Sequence, residues 1–181
     1  MKLLIVLSST REGRVADSVL ALFQEQLTNH KSLKVTVADF KSTPLPFFNQ
    51  ADIPSNGDYH INDSNALAWS QQVQSADMVL FLTAEYNYSY TAILKNAIDW
   101  LCNEWTGKPV AFFGYGWTGG SKAITELRNL MTGYLQAEPL DTEAGLTFEK
   151  NIQIDGKPIG DEAAKIIDNY LEAVEHSLET R

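Results

Sequence analysis

Residues 3–9 read Leu3-Leu4-Ile5-Val6-Leu7-Ser8-Ser9, an unbroken apolar run that stops at a pair of hydroxyls. Five consecutive apolar side chains leave a strand no face for water, so the run predicts a strand covered on both sides, as in a parallel sheet. The chain on either side of later strands repeats the arrangement. After a polar turn to Arg14, Val15, Val19, Leu22, Phe23 and Leu27 recur at helical spacing. Leu33, Val35 and Val37 alternate with polar residues as in a half-buried or edge strand ending at Asp39. Phe40 to Asp63 carries Pro44, Pro46, Pro54 and Gly57 and predicts a long surface loop.

Ser64 caps a predicted helix to about Ser75, and Met78-Val79-Leu80-Phe81-Leu82 is a third buried strand. A connecting loop from Ala84 to Tyr90 leads to a helix from Thr91 to about Asn103, whose Ile93, Trp100 and Leu101 exceed one apolar face and suggest contact with another subunit. Lys108 to Phe113 is a fourth strand, Gly114 to Gly120 a glycine-rich loop, and Ser121 to about Leu135 a helix. A fifth strand near Glu138 to Leu146, a turn at Asp155-Gly156 and an amphipathic helix from Asp161 to about Leu178 complete the chain. Alternating strands and helices imply an α/β doubly wound parallel sheet with right-handed crossovers, in the flavodoxin-like order 2-1-3-4-5, as one domain over residues 1–181.

The 181 residues are 44% hydrophobic and 20% charged, enough to bury a core of their own. A net charge of -9 repels nucleic acid and anionic membrane, so neither is an expected partner, and any phosphate must be caught locally. The short N-terminal apolar run has neither the length nor the cleavage pattern of a signal peptide, and no stretch approaches a membrane span. With Cys102 as the only cysteine no intrachain disulfide forms, which fits a cytoplasmic protein. His30, His60 and His176 show no ligand spacing, so no metal is expected.

In a doubly wound sheet ligands sit beyond the carboxyl ends of the strands, where the first, third and fourth loops converge. The first loop, Ser8-Ser9-Thr10-Arg11-Glu12-Gly13-Arg14, places two arginines and free backbone N–H groups before a helix, which favours an anion; solvated arginines on a capped helix are the plainer reading. It lacks the glycine-to-lysine spacing of a Walker loop. The third loop, Ala84-Glu85-Tyr86-Asn87-Tyr88-Ser89-Tyr90, alternates ring faces with amides, as a flat heteroaromatic ligand or a tyrosine-rich interface would require. Gly114-Tyr115-Gly116-Trp117-Thr118-Gly119-Gly120 formally matches G-x-G-x-x-G, but a dinucleotide fingerprint normally follows the first strand. Glycines that let the backbone approach a ring edge are the preferred reading.

Three segments resemble the NADPH-dependent FMN reductase family of flavodoxin-like flavoproteins, which includes quinone and azo-compound reductases. They are residues 9–14, Glu85-Tyr86-Asn87 with Leu94-Lys95-Asn96-Ala97-Ile98-Asp99-Trp100, and Gly107-Lys108-Pro109-Val110; a looser likeness runs from about Lys2 to Leu135. The resemblance implies that Ser9, Thr10, Arg11, Arg14, Val15 and Ala16 surround an FMN phosphate. It implies too that Glu85, Tyr86, Asn87, Tyr88 and Ser89, with Gly114, Tyr115 and Gly116, line the isoalloxazine ring.

The chain departs from the family pattern at Ser8 and Tyr88, where glycine is common, and at Ala84 and Thr91, where proline is; a phenol at Tyr88 would stand beside or above the ring. The implied activity is electron transfer from NAD(P)H through FMN to a quinone, flavin, azo dye or similar small acceptor, in a homodimer or homotetramer, with no catalytic side chain. Two other readings stay open: an FMN-binding electron carrier reduced by a protein partner, and a dehydrogenase binding NAD(P) directly through Gly114 to Gly119.

Overall fold

The computed structural model describes residues 1–180. Five parallel strands, β1 (Lys2–Leu7), β2 (Lys34–Asp39), β3 (Met78–Ala84), β4 (Pro109–Gly116) and β5 (Glu138–Thr147), form one sheet in the order β2-β1-β3-β4-β5. Helices α1 (Ala16–Gln26), α2 (Ser64–Ser75), α3 (Ala92–Asp99), α4 (Ser121–Thr132) and α5 (Glu162–Glu179) connect and cover it. The expected order and fold class are thus observed.

The two faces of the sheet make two cores. Leu3, Ile5, Leu80 and Phe113 point toward α1 and α5, where Phe23 meets Phe113 edge to face at 4.7 Å. Leu4, Val6, Phe81 and Phe112 point the other way, against Trp69, Ile98, Trp105 and Leu127. Each such side chain, fully buried, contributes about 1.5–3 kcal/mol of transfer free energy. The β1 run therefore serves both cores at once, which is why it contains no polar residue.

Among the boundaries that differ from expectation, two bear on the site. Strand β4 continues to Gly116, because Gly114, Tyr115 and Gly116 stay paired with β3 on one side and β5 on the other; a ladder with neighbours on both edges tolerates glycine. Helix α3 stops at Asp99. The Trp69 indole N–H donates to the Ala97 carbonyl at 2.8 Å, and the Leu101 N–H turns to the Ile98 oxygen, tightening and ending the helix.

The apolar excess of α3 also has a different cause. Trp100 and Leu101 are buried within the chain itself. The loop from Phe40 to Asp63 lies across them: the Pro46 carbonyl accepts from Trp100 Nε1 and Asn96 Nδ2, both at 2.9 Å, and Phe48 packs edge to face on Trp100. Trp100 is thus accounted for within the chain, and its apolar surface does not of itself call for a partner.

His30, after α1, is buried between two carboxylates of α5, with Nδ1 2.9 Å from Glu175 and Nε2 3.0 Å from Asp168. Burial works against its charge, but the two carboxylates outweigh it and raise its pKa. A raised histidine stabilises the fold fully below the unfolded pKa of about 6.5 and loses that contribution as pH rises through the folded value. Glu175, lowered by its bonds to Ser32 and His30, loses its share on acidification. Replacing His30 with Gln should therefore lower Tm most near pH 5.5, by about 2–4 °C for each kcal/mol lost, with the gap narrowing in alkaline buffer. A gap that widens with pH in calorimetry would contradict this.

Candidate FMN site

The loops after β1, β3 and β4 meet at the carboxyl end of the sheet and are latched together by side chains. The Thr91 hydroxyl donates to the Ser8 carbonyl at 3.1 Å and accepts from the Leu94 N–H, so it caps α3 and ties the first loop to it. A residue without a side-chain hydroxyl at this position could make neither bond. Tyr86 and Ser9 join through their hydroxyls at 2.8 Å. Glu85 Oε2 accepts from the Thr118 hydroxyl at 2.6 Å and the Lys122 N–H at 3.0 Å, linking the third loop to the first turn of α4. Its carboxylate thus orients neighbours.

Between these loops lies a cleft of about 190 Å³. Arg11 and Val15 form one side, Ala84, Glu85 and Tyr86 another, and Gly116, Trp117 and Phe148 the third. Its volume is below the roughly 300–1,000 Å³ of ordinary ligand pockets, so a ligand as large as a mononucleotide would extend beyond it. At one end, the first turn of α1 follows Val15 with no side-chain cap, leaving N–H groups for an anion. At the other, Trp117 and Phe148 stand edge to face at 5.6 Å.

Of the two arginines in the first loop, only Arg11 is free to meet a ligand. It is exposed and makes no ion pair among the described residues. Arg14 is buried, and all five of its N–H donors are engaged: Nη1 with the Ser9 carbonyl and Asp39, Nη2 with Asp17 and Asp39, and Nε with Asp17, all between 2.6 and 2.9 Å. The fork opposite Asp39 raises the guanidinium pKa and holds the Asp39 carboxyl at about 2. Arg14 therefore anchors the loop to the end of β2 and has no donor left for phosphate, contrary to the role expected for it.

The remaining expected residues fall into two groups. Ser9, Val15, Glu85, Tyr86, Tyr115 and Gly116 line the cleft with Arg11 and the Arg14 stem, whereas Thr10, Ala16, Asn87, Tyr88, Ser89 and Gly114 do not. Ala16 is in the core. Asn87 and Tyr88, at φ 51° and 65°, form a turn closed by mutual Tyr86–Ser89 backbone bonds, and Tyr88 points into solvent. Two positive φ values in succession are a conformation that asparagine and glycine adopt most readily and that a tyrosine seldom takes.

Gly114 meets backbone: a Cβ on it would lie 2.7 Å from the Gly119 oxygen, and one on Gly145 only 2.0 Å from that atom. The glycines near the formal fingerprint pack strand end on loop, rather than bringing Gly114 to a ring edge. Trp117 and Phe148 were not singled out from sequence. Trp117 lies within the quoted glycine-rich loop, and the order 2-1-3-4-5 already places the end of β5 beside β4.

The donors and flat walls of this cleft suit an aromatic ring carrying a phosphate, and residues 1–149 match the profile described as NADPH-dependent FMN reductase. The chain belongs to the NADPH-dependent FMN reductase family. It is 35% identical over 144 residues to an NAD(P)H-dependent FMN reductase of Saccharomyces cerevisiae, covering 74% of each chain. It is 38% identical over 92 residues to an NADPH:quinone oxidoreductase of Arabidopsis thaliana, covering 49% of this chain and 45% of that one.

Among solved structures, FerB of Paracoccus denitrificans, a flavoenzyme NAD(P)H:(acceptor) oxidoreductase, superposes with a TM-score of 0.76 at 22% identity, over 99% of this chain and 97% of that one, which shows a shared fold. Membership makes this FMN reductase family protein an NAD(P)H-dependent oxidoreductase with FMN as its flavin. Among the described residues no helix is long and apolar enough to cross a membrane, and no group of His, Cys, Asp and Glu could hold a metal ion.

Proposed function

We propose that this protein takes electrons from NAD(P)H and delivers them to a small planar acceptor, a quinone, free flavin or azo compound, using FMN held in the cleft between the first, third and fourth loops. The observation that carries this reading is the pairing of an uncapped helix N-terminus and a free Arg11 with an aromatic wall on one cleft. FMN, when bound, supplies the two-electron redox chemistry.

The chain's residues bind and orient. Arg11, Ser9 and the first-turn N–H groups of α1 hold the phosphate, with Thr10, Val15 and Ala16 shaping the turn and Arg14 bracing it from behind. Tyr86, Gly116, Trp117 and Phe148 flank the ring, and Asn87, Tyr88 and Ser89 keep their turn at its outer edge. No side chain is required as acid or base, and Glu85 is occupied in joining two loops.

The protein should purify yellow or bind added FMN, and NAD(P)H should bleach the flavin within a turnover time, with colour returning on addition of a quinone. Arg11→Ala should weaken FMN binding about tenfold or more, the scale of a charge-assisted hydrogen bond, without changing Tm. Flavin that NAD(P)H leaves oxidised in stopped flow would favour a carrier reduced by a protein partner; the names of the relatives do not favour that reading.

Self-association and a cytoplasmic location complete the proposal. The first is supported by exposed Ile53 and Tyr134 beside an apolar groove at Leu101, Leu130 and Leu135, and the second by the single free thiol of Cys102.

A further inference from the structure

Tyr115 is the one aromatic residue of β4 that reaches the cleft, and its hydroxyl has no hydrogen-bond partner among the described residues. The side chain is only 3% exposed. Its ring lies on the α1 side of the sheet, in the same core as Phe113, Val15 and Ala16. The hydroxyl ends near Ser9, Tyr86 and Arg14. The Ser9 hydroxyl, bonded to Tyr86, lies nearby but makes no hydrogen bond to it, and the Arg14 donors are all engaged elsewhere.

A buried hydroxyl left unpaired is unfavourable, and the same ring without the oxygen would fill the same space. Other buried side-chain atoms without partners are Ser8 Oγ, Trp105 Nε1 and Asn151 Nδ2, and none of these residues lines the cleft. Burial also pushes the Tyr115 phenol well above its ordinary pKa, so it stays protonated and remains a donor.

We propose that the Tyr115 hydroxyl donates a hydrogen bond to the phosphate of the bound flavin mononucleotide, reaching it from beneath the first loop. The alternation of the strand supports this division of labour. Gly116 presents its backbone to the cleft beside Glu85, where a Cβ would lie 3.3 Å from the Glu85 Cβ. The preceding side chain drops to the α1 side, toward the helix N-terminus. Tyr115 thus belongs with the anion-binding end of the site, although the family resemblance groups it with the ring.

The inference rests on the proposed FMN site and is tested with Tyr115→Phe, which removes one oxygen. Three quantities are measured on wild type and variant: Tm of the ligand-free protein, Kd for FMN, and Kd for riboflavin, which has the ring and ribityl chain without the phosphate. The ligand-free variant should melt at the same temperature or higher, because an unpaired polar atom has been removed. FMN should bind about tenfold more weakly, with riboflavin affinity unchanged.

A lower Tm in the ligand-free variant would show that the hydroxyl already has a structural partner and overturn the inference. Unchanged FMN affinity would overturn it too, as would an equal loss for riboflavin, which would place the bond on the ring or ribityl chain. Wild type that binds neither flavin would refute the cofactor assignment itself, and this inference with it.

Discussion

Asp39→Asn is expected to lower stability by about 2–4 kcal/mol, near the range for breaking a buried ion pair by removing one partner. The expectation follows from what the substitution leaves behind. Arg14 has a side chain 4% exposed and donates two of its short bonds to the Asp39 carboxylate. Asparagine offers one acceptor and no charge, while the Asp17 that remains is largely in water.

The same change should weaken FMN binding although Asp39 touches no ligand, because Arg14 also donates to the Ser9 carbonyl and so sets the path of the first loop. Arg14→Lys should share both defects, since an ammonium cannot reproduce the fork. The pH dependence has a definite sign. Asp39, depressed to about 2, stabilises the fold above its unfolded pKa of about 3.9 and loses that contribution as pH falls through the folded value. Acid unfolding of the wild type should therefore extend below pH 4, and the Asp39→Asn variant should converge with it there. A variant with wild-type Tm at pH 7 would remove the structural role given to this pair.

The second large effect is expected at Gly145, which lies in β5 beside Gly114 and under Gly119. An alanine Cβ there would stand 2.0 Å from the Gly119 oxygen and 2.8 Å from the Gly114 oxygen, both backbone atoms that no rotamer can move. Relief requires β5 to part from β4 or the loop from Gly116 to Gly120 to lift, so Gly145→Ala should cost about 3 kcal/mol or more. Because Trp117 sits on that loop, flavin affinity should fall with stability. Gly57→Ala is the control: a Cβ there meets nothing within 4 Å and the backbone is not left-handed. Comparable Tm values for the two variants would show that the strand end and the loop are not held by this close approach.

The fold was legible because the inner strands carry their own signal. The run from Leu3 to Leu7 and that from Met78 to Leu82 are apolar throughout, and those buried strands are the centre of the sheet. The convergence of three loops followed from the strand order. What the sequence concealed were contacts between distant residues. Nothing near Arg14 marks Asp39, 25 positions away, as its partner, so an arginine that braces the loop reads the same as one that binds a ligand.

Trp100 presents a similar ambiguity: an apolar face beyond the usual stripe looks alike whether a second chain or the protein's own loop covers it, and here Pro46 and Phe48 do. The sequence pattern of glycines from 114 to 120 suggests backbone approaching a ring edge, yet Gly114 and Gly120 fit against each other's backbone. Trp117 and Phe148 became visible only when β4 and β5 were side by side.

The most direct measurement is a crystal structure of the protein grown with FMN. The flavin phosphate is predicted to lie within hydrogen-bonding distance of Arg11 and the first-turn N–H groups of α1, with its ring beside Tyr86 and Trp117. Flavin density elsewhere on the molecule, or a phosphate bound by neither Arg11 nor the start of α1, would contradict the account.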